Sequence, residues 1–396
     1  MTRRLVYLSN HAGYFVSHRL SHALAAREAG WDVRVICSPG PAQAAIHAAG
    51  IPMDPLDISR SGLRPDRELR SLRQIRGLLE ERRPDLLHCI SLKAVVLGGL
   101  AARLAKTPAV VHSISGLGHV FTEQTVAAWL LRGFFLTLLP LVVARHCRII
   151  VQNAADLERL SRHGLGERSR LIRGAGVDLQ RFQPSPEPEG TPTVIMASRL
   201  IRKKGVAEFV EAARILRSQG VAARFLLVGE SDPGNPGAVP TAQLEAWNRE
   251  GAVEWLGQRD DIDRLLAQSH IACLPSYYGE GVPKGLIEAA AAGRPVVTTA
   301  QPGCAEIVRD GENGLHVAPR DPMALAIGLR MLIEDPPLRA RMGARAREIA
   351  CEGYGLESVL QQTLAVYEEL AGEAGLPDAA AGPSLEATGT SGASRD

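Results

Sequence analysis

Residues 270–291 read HIACLPSYYGEGVPKGLIEAAA, and the fold can be read outward from them. A short apolar run over 270–275, bounded by a loop, has the pattern of a strand buried on both faces. The loop that follows carries Gly279 and Gly281. Pro283 suits the first helical position, where no amide donor is needed. Strand, glycine-bearing loop and helix start in that order make the repeating unit of a parallel α/β sheet. The helix start has a chemical consequence. Its positive dipole end and the N–H groups of Lys284, Gly285, Leu286 and Ile287 would form an anion site suited to a phosphate. Lys284 in the first turn opposes the dipole, and a bound anion would remove that conflict. Glu280 and Glu288 flank the site. Two carboxylates beside phosphates repel them, so these are expected to grip neutral hydroxyls. A capped helix with surface acids is the plainer alternative.

The same alternation extends both ways. Downstream of a Pro/Glu/Gly-rich stretch at 183–190, strands are expected at 193–197, 224–228, 253–256, 270–275, 295–299 and 314–317, with a helix at 206–219 and others between them. Upstream, strands at 5–9, 33–37, 85–90, 109–113 and 148–152 alternate with helices at 18–30, 93–105, 126–144 and 153–163. Strand–helix alternation on this scale signals doubly wound parallel sheets. The expected class is α/β, with an N-terminal domain over 1–182 and a proline-stiffened linker over 183–191. A second domain spans 192–352, a C-terminal helix spans 353–371, and a polar Ala/Gly/Ser/Thr/Pro-rich tail is expected to be disordered over 372–396.

A second chemical cluster is Ser198-Arg199-Leu200-Ile201-Arg202-Lys203-Lys204-Gly205, directly after the first strand of domain two. Ligands of open α/β sheets bind outside the carboxyl ends of the strands. Four cations there suit a diphosphate, although such a loop alone is more often simply solvated. Its place on the same sheet edge as the glutamate loop favours the ligand.

Other readings are excluded or weakened. The first strand runs into Ser9-Asn10-His11-Ala12-Gly13, and Gly116-Leu117-Gly118 lacks a third glycine. Neither is a dinucleotide fingerprint, and no Walker loop is present. Six dispersed cysteines form no CxxC or Cys/His cluster, which points away from disulfides and structural zinc and toward a reducing cytoplasm. Asp260-Asp261-Ile262-Asp263 reads as a helix start rather than a metal-binding cluster. No secretory signal is visible, and 126–144 is interrupted by Arg132 and Pro140, so a buried or interfacial helix is expected there rather than a span.

The net charge of +2 hides an asymmetry. Residues 1–180 carry 24 Lys and Arg against 14 Asp and Glu, and the remainder carries 21 against 29. The first half is thus suited to an anionic surface or substrate, or simply presents a solvated basic face, and no nucleic-acid partner is expected. Within it, 60–83 places Leu63, Leu69, Leu72, Ile75, Leu78 and Leu79 near helical spacing beside Arg64, Arg67, Arg70, Arg73 and Arg76. Such a helix can lie in an anionic interface with its leucines inserted; alternatively, it packs into domain one.

Several of these strings resemble glycosyltransferase family 4. Glu280 and Glu288 match its E-x7-E motif. Ser198-Arg199-Leu200…Lys204-Gly205 is similar to its GRL…KG element, with serine for glycine. Gly174-Ala175-Gly176-Val177-Asp178-Leu179…Phe182 is similar to its interdomain NGVD…F segment, and the strings ending at Gly229 and Gly257 also look like the family. Phe15-Val16-Ser17-His18-Arg19, Lys93 and 116–121 resemble members that build bacterial polysaccharide repeat units on polyprenyl lipids. The resemblance implies a GT-B fold, two Rossmann-like domains facing a central cleft, with retention at the anomeric carbon and no metal or other cofactor. It implies that Arg199 and Lys204 neutralise the diphosphate of a nucleotide sugar, a UDP-sugar, and that Glu288 holds the ribose. Glu280 and the backbone of Gly281, Val282 and Lys284 would hold the sugar. The donor-binding set is completed by Leu286, Ile287, Gly229 and Gly257, the last beside the base. Many members carry a histidine after the fourth strand that contacts the donor sugar; here Ser115 takes its place. His112 falls earlier, inside the strand, and does not inherit the role. His88, at the end of the third strand, is another candidate cleft residue, although a lone histidine there is more often structural. The acceptor implied is a polyprenyl-diphosphate-linked saccharide, met in the cytoplasm or at the inner face of the membrane. A soluble acceptor, or a catalytically silent module, is the alternative reading.

Overall fold

The computed structural model describes residues 2–56, 58, 64–116, 133, 139, 142–143, 146–232, 234–277, 279 and 281–377. Two parallel sheets organise it. The first has the strands β1 (Arg4–Ser9), β2 (Asp32–Cys37), β3 (Met53–Pro55), β4 (Leu86–Ile90), β5 (Ala109–Ile114), β6 (Cys147–Val151) and β7 (Ser169–Leu171), in the order β3-β2-β1-β4-β5-β6-β7. The second has β8 (Thr193–Ala197), β9 (Arg224–Val228), β10 (Glu254–Trp255), β11 (Ile271–Leu274), β12 (Val296–Thr299) and β13 (Gly314–Val317), in the order β10-β9-β8-β11-β12-β13. In each sheet the winding reverses beside its first strand, between β1 and β4 and between β8 and β11. Crevices open at such reversal points, outside the carboxyl ends of the strands.

Both faces of the first sheet are covered. Helix Ala12–Glu28 and helix Leu356–Glu373 bury Tyr7, Phe15, Trp31 and Tyr367 on one face. Helices Pro65–Arg82 and Leu92–Ala105 bury Ile75, Leu79 and Val95 on the other. The last helix therefore leaves domain two and packs on the N-terminal sheet. Val359, Tyr367 and Leu370 are fully buried there, each stabilising the contact by roughly 1.5–3 kcal/mol. Salt bridges from Arg3 to Glu368 and from Arg148 and Arg170 to Glu369 fasten its outer face.

Helix Ala12–Glu28 starts six residues before the expected 18, where the His11 side chain accepts from Tyr14 N and caps it, and three further expectations need correction. The linker expected over 183–191 does not stand clear of domain two. Arg339, 5% exposed, pairs with Glu187 at 2.6 Å, Arg294 donates to Ser185 Oγ at 2.6 Å, and His270 Nε2 lies 2.9 Å from the carbonyl of Pro188. Proline extends the segment, and these side chains press it onto domain two.

The second correction concerns the arginine-rich helix. Ile75 and Leu79 are buried, and Leu72 and Leu78 pack beside them against helix Leu92–Ala105. The apolar stripe that reads as membrane-seeking is the stripe any domain helix buries. Leu69 alone of the described leucines there stays exposed, whereas Arg67, Arg70 and Arg73 all face outward. Leucine insertion is thus ruled out for the buried set, and the arginine row remains. Arg60 and Leu63, most of 126–144, His119 and the tail from 378 lie outside the described residues. No helix among the described residues is long and apolar enough to cross a membrane.

The third correction is small and concerns the helix start. Helix Lys284–Ala291 begins one residue later than expected, with Pro283 as its N-cap.

Candidate active site

The basic loop and the glycine loop meet at the β8/β11 reversal. After β8 the chain makes a 3-10 turn, Arg202–Lys204, and leaves it through Gly205 at φ 81°. A Cβ on Gly205 would sit 2.4 Å from the carbonyl oxygen of Pro275, so only glycine lets the two loops lie this close. The Lys203 carbonyl then accepts hydrogen bonds from Tyr277 N at 3.0 Å and Ser276 Oγ at 3.3 Å. Loops some seventy residues apart are stitched together, and their cations and helix start converge.

Lys204 is 6% exposed, whereas the Arg199 side chain is 52% exposed and only loosely paired, 3.6 Å from Asp232. One cation is fixed and dry; the other is free to swing over an anion. Gly229 brings the end of β9 against the same loop, since a Cβ there would lie 2.0 Å from the carbonyl oxygen of Ser198. Its amide donates to the Gly257 carbonyl at 2.8 Å, and the Gly229 carbonyl accepts from Trp255 Nε1 at 2.9 Å. Gly229 and Gly257 therefore frame one wall.

At the helix start the sequence reading needs revision. The N–H groups of Leu286 and Ile287 donate to the Pro283 carbonyl at 3.0 and 3.2 Å, and both side chains are buried in the core of domain two. They are not ligand groups. Lys284 and Gly285 are the two whose amides have no backbone partner among the described residues. Val282 is also buried. Glu288 lies one turn inside, its side chain 12% exposed and 3.6 Å from Lys284 Nζ. Burial raises its pKa, opposed by Lys284. A carboxylate held this dry, one turn from two free amides, is a hydroxyl acceptor in waiting. Glu280 lies outside the described residues.

The N-terminal domain closes over this constellation. Gly281 N donates to the Ser115 carbonyl at 2.5 Å, and a Cβ on Gly281 would lie 2.0 Å from Gln152 Oε1. Lys284 Nζ donates to the Ser17 carbonyl at 3.1 Å. Farther out, Glu306 accepts from Ala154 N at 2.9 Å and from Arg173 Nε at 2.7 Å. Of the three residues considered for the missing histidine, Ser115 alone reaches the cleft. His112 is 0% exposed inside β5, and burial pushes its pKa down to about 4. His88 is clamped by Tyr367 Oη and Ser113 Oγ, each at 2.6 Å. Gln152 was missed by the sequence reading, and Ser17, quoted there only within a family-like string, was given no contact, because these contacts cross between domains and follow no local spacing.

Among the described residues no cluster of His, Cys, Asp and Glu could hold a metal. Asp261 pairs with Arg259 and Asp263 with Arg181.

Comparison with known proteins agrees with this geometry. Residues 4–153 match the family described as glycosyl transferase 4-like, and residues 178–349 match glycosyl transferases group 1. The chain is 30% identical over 382 residues to N,N'-diacetylbacillosaminyl-diphospho-undecaprenol alpha-1,3-N-acetylgalactosaminyltransferase of Campylobacter jejuni, covering 93% of this chain and 99% of that one. It is 29% identical to a phosphatidyl-myo-inositol mannosyltransferase of Mycobacterium tuberculosis over 73% of this chain and 74% of the relative. Among solved structures, HepE of Anabaena in complex with UDP and glucose superposes with a TM-score of 0.75 at 20% identity, over 93% of this chain and all of that one. Two parallel-sheet domains facing a cleft, two family matches that together span both, and a relative similar along nearly its whole length place the chain among the family 4-like glycosyltransferases of GT-B fold.

Proposed function

We propose that this enzyme transfers a hexose-type sugar from a UDP-sugar to a polyprenyl-diphosphate-linked saccharide, with retention at the anomeric carbon, in cell-surface polysaccharide synthesis. The observation that carries the donor half is the convergence of Lys204, Arg199 and the amides of Lys284 and Gly285 on one edge of the second sheet. Together they form a diphosphate cradle that needs no cation. Glu288 takes the ribose, and Gly229 and Gly257 flank the base. Glu280 and the backbone at Gly281 and Lys284 are assigned to the sugar. The acceptor half is supported by the Campylobacter relative, whose name specifies a diphospho-undecaprenol acceptor. The nucleotide is supported by HepE, whose crystals contain UDP.

The chemistry asks for leaving-group stabilisation and a held acceptor hydroxyl. The bond from the anomeric carbon to the diphosphate oxygen breaks, and its electron pair stays on that oxygen. The acceptor oxygen bonds to the carbon on the same face, and the departing phosphate takes its proton. Incubation of the purified chain with UDP-hexoses and a polyprenyl-diphosphate saccharide should give a product with the donor's anomeric configuration. Transfer should continue in excess chelator. Loss of activity restored by magnesium would overturn the metal-free cradle.

The exposed row Arg67, Arg70 and Arg73 supports a membrane-facing side on domain one. Each arginine near an anionic leaflet contributes about 1 kcal/mol. Binding is thus electrostatic rather than insertional. Flotation with anionic liposomes should occur at low salt, weaken as salt screens the charges, and disappear when Arg67, Arg70 and Arg73 are changed to glutamate. Salt-insensitive flotation would contradict this mode.

A further inference from the structure

Helix Ala12–Glu28 brings one more ring to the cleft. Tyr14 stacks on His18 with centroids 4.3 Å apart and planes 11° from parallel. Ser17 Oγ lies 2.6 Å from His18 Nδ1. The ring is therefore held on one face and at one nitrogen, and Nε2 has no partner among the described residues. The same turn is fixed to domain two, because the Ser17 carbonyl accepts from Lys284 Nζ. Among the described residues the charges acting on the ring are four cations, Arg19 on its own helix, Lys284 at the helix start, and Arg199 and Lys204 on the basic loop, and the ring of His22, one turn along, interacts with it. Three of these four are the groups assigned above to the donor.

We propose that His18 is a further catalytic residue, whose Nε2–H donates a hydrogen bond to the departing nucleotide diphosphate from the N-terminal domain. The inference rests on the reading that Arg199 and Lys204 hold that diphosphate. In the transfer, His18 moves no net proton. It meets negative charge as it develops on the phosphate oxygen, where a charge-assisted bond is strongest.

The surroundings suit a ring that gains a proton when the donor binds. Burial first, and then the four cations, lower its pKa to about 3 in the free protein, so it is neutral there. A diphosphate placed among those cations offsets their share of the shift and raises the pKa, while the larger share, burial, remains. Protons are then taken up on binding, the more so as pH falls. Ser17 can follow the change. Its hydroxyl donates to Nδ1 of the neutral ring; once Nδ1 carries a proton, it turns to the Tyr14 carbonyl at 3.3 Å and accepts from the ring instead.

The test compares the wild type, His18→Gln and Arg199→Ala, all as the full chain. Calorimetry with UDP in buffers of different ionisation enthalpy gives affinity and proton uptake, and steady-state transfer gives kcat. His18→Gln should lose the uptake seen at pH 6 and lower kcat about tenfold, leaving the thermal midpoint nearly unchanged. Equal uptake with kcat within twofold of wild type would overturn the role of His18. If Arg199→Ala leaves UDP affinity intact, the donor-site reading itself fails, and the inference fails with it. If Arg199→Ala weakens UDP and His18→Gln changes nothing, His18 alone is wrong. Should His18→Gln not fold, His18→Asn removes the same ring with a smaller side chain and is read for the same loss of uptake; unchanged uptake then overturns the proposal.

Discussion

Lys204→Ala should lower kcat by about 10²–10³-fold, or roughly 2.7–4 kcal/mol of transition-state stabilisation, with the fold intact. The size follows from where the ammonium sits. At 6% exposure it works in a place from which water is largely excluded, and a charge there acts far more strongly than one in bulk solvent. Arg199, half exposed over the same site, should matter less to the chemical step and more to capture of the donor. Lys204→Arg should rescue poorly. The 3-10 turn is closed by Gly205 against the Pro275 carbonyl, and the wide planar guanidinium does not match a compact ammonium in such a space. The experiment is a kcat measurement beside a thermal midpoint. A kcat within threefold of wild type, in a variant with an unchanged midpoint, would remove Lys204 from the reaction.

This cation was legible in the sequence because everything that places it is local. A short strand, a basic run and a glycine before a helix predict a strand-end loop, and the loop is there. The second sheet was legible for the same reason, since each strand and each turn residue declares itself within a few positions. Boundaries of the second sheet slipped by a residue or so, whereas the first helix, expected from His18, begins six residues earlier at Ala12 under a His11 cap. At the glycine loop the expectation of four free amides fails on helix geometry, because only the leading amides of a helix lack a partner and the Pro283 carbonyl takes those of Leu286 and Ile287. Amphipathic spacing misled in the arginine helix, because a stripe of leucines says that something will cover it and not whether lipid or protein does. What the sequence could not show is the closure between domains. The bonds from Gly281 to Ser115 and from Lys284 to Ser17 join residues whose separation in the chain carries no pattern. His18 belongs to that class. Its string was recognisable, but no spacing tied it to Arg199 or Lys204.

Glu288→Ala should weaken UDP binding by about 10- to 100-fold, because the lost hydrogen bonds from ribose hydroxyls to a carboxylate are worth roughly 1.5–3 kcal/mol. The same change should not destabilise the protein, and this separates function from structure. Burial raises the pKa of Glu288 even though Lys284 opposes it. A carboxyl whose folded pKa lies above its unfolded value is easiest to bury when protonated. Its cost is absent below the ordinary carboxylate pKa of about 4.3 and grows as pH rises through the folded value. At neutral pH the fold therefore carries an ionised group it would be more stable without, and Lys284, 3.6 Å away, compensates only in part. Removing that group should leave the thermal midpoint of the free protein level or higher at pH 7.5, with the gain shrinking toward pH 4.5. UDP itself is the right probe, since ribose belongs to the nucleotide and not to the sugar. A Glu288→Ala protein that binds UDP as tightly as wild type would place the ribose elsewhere. One that loses stability at pH 7.5 would make Glu288 a structural partner of Lys284.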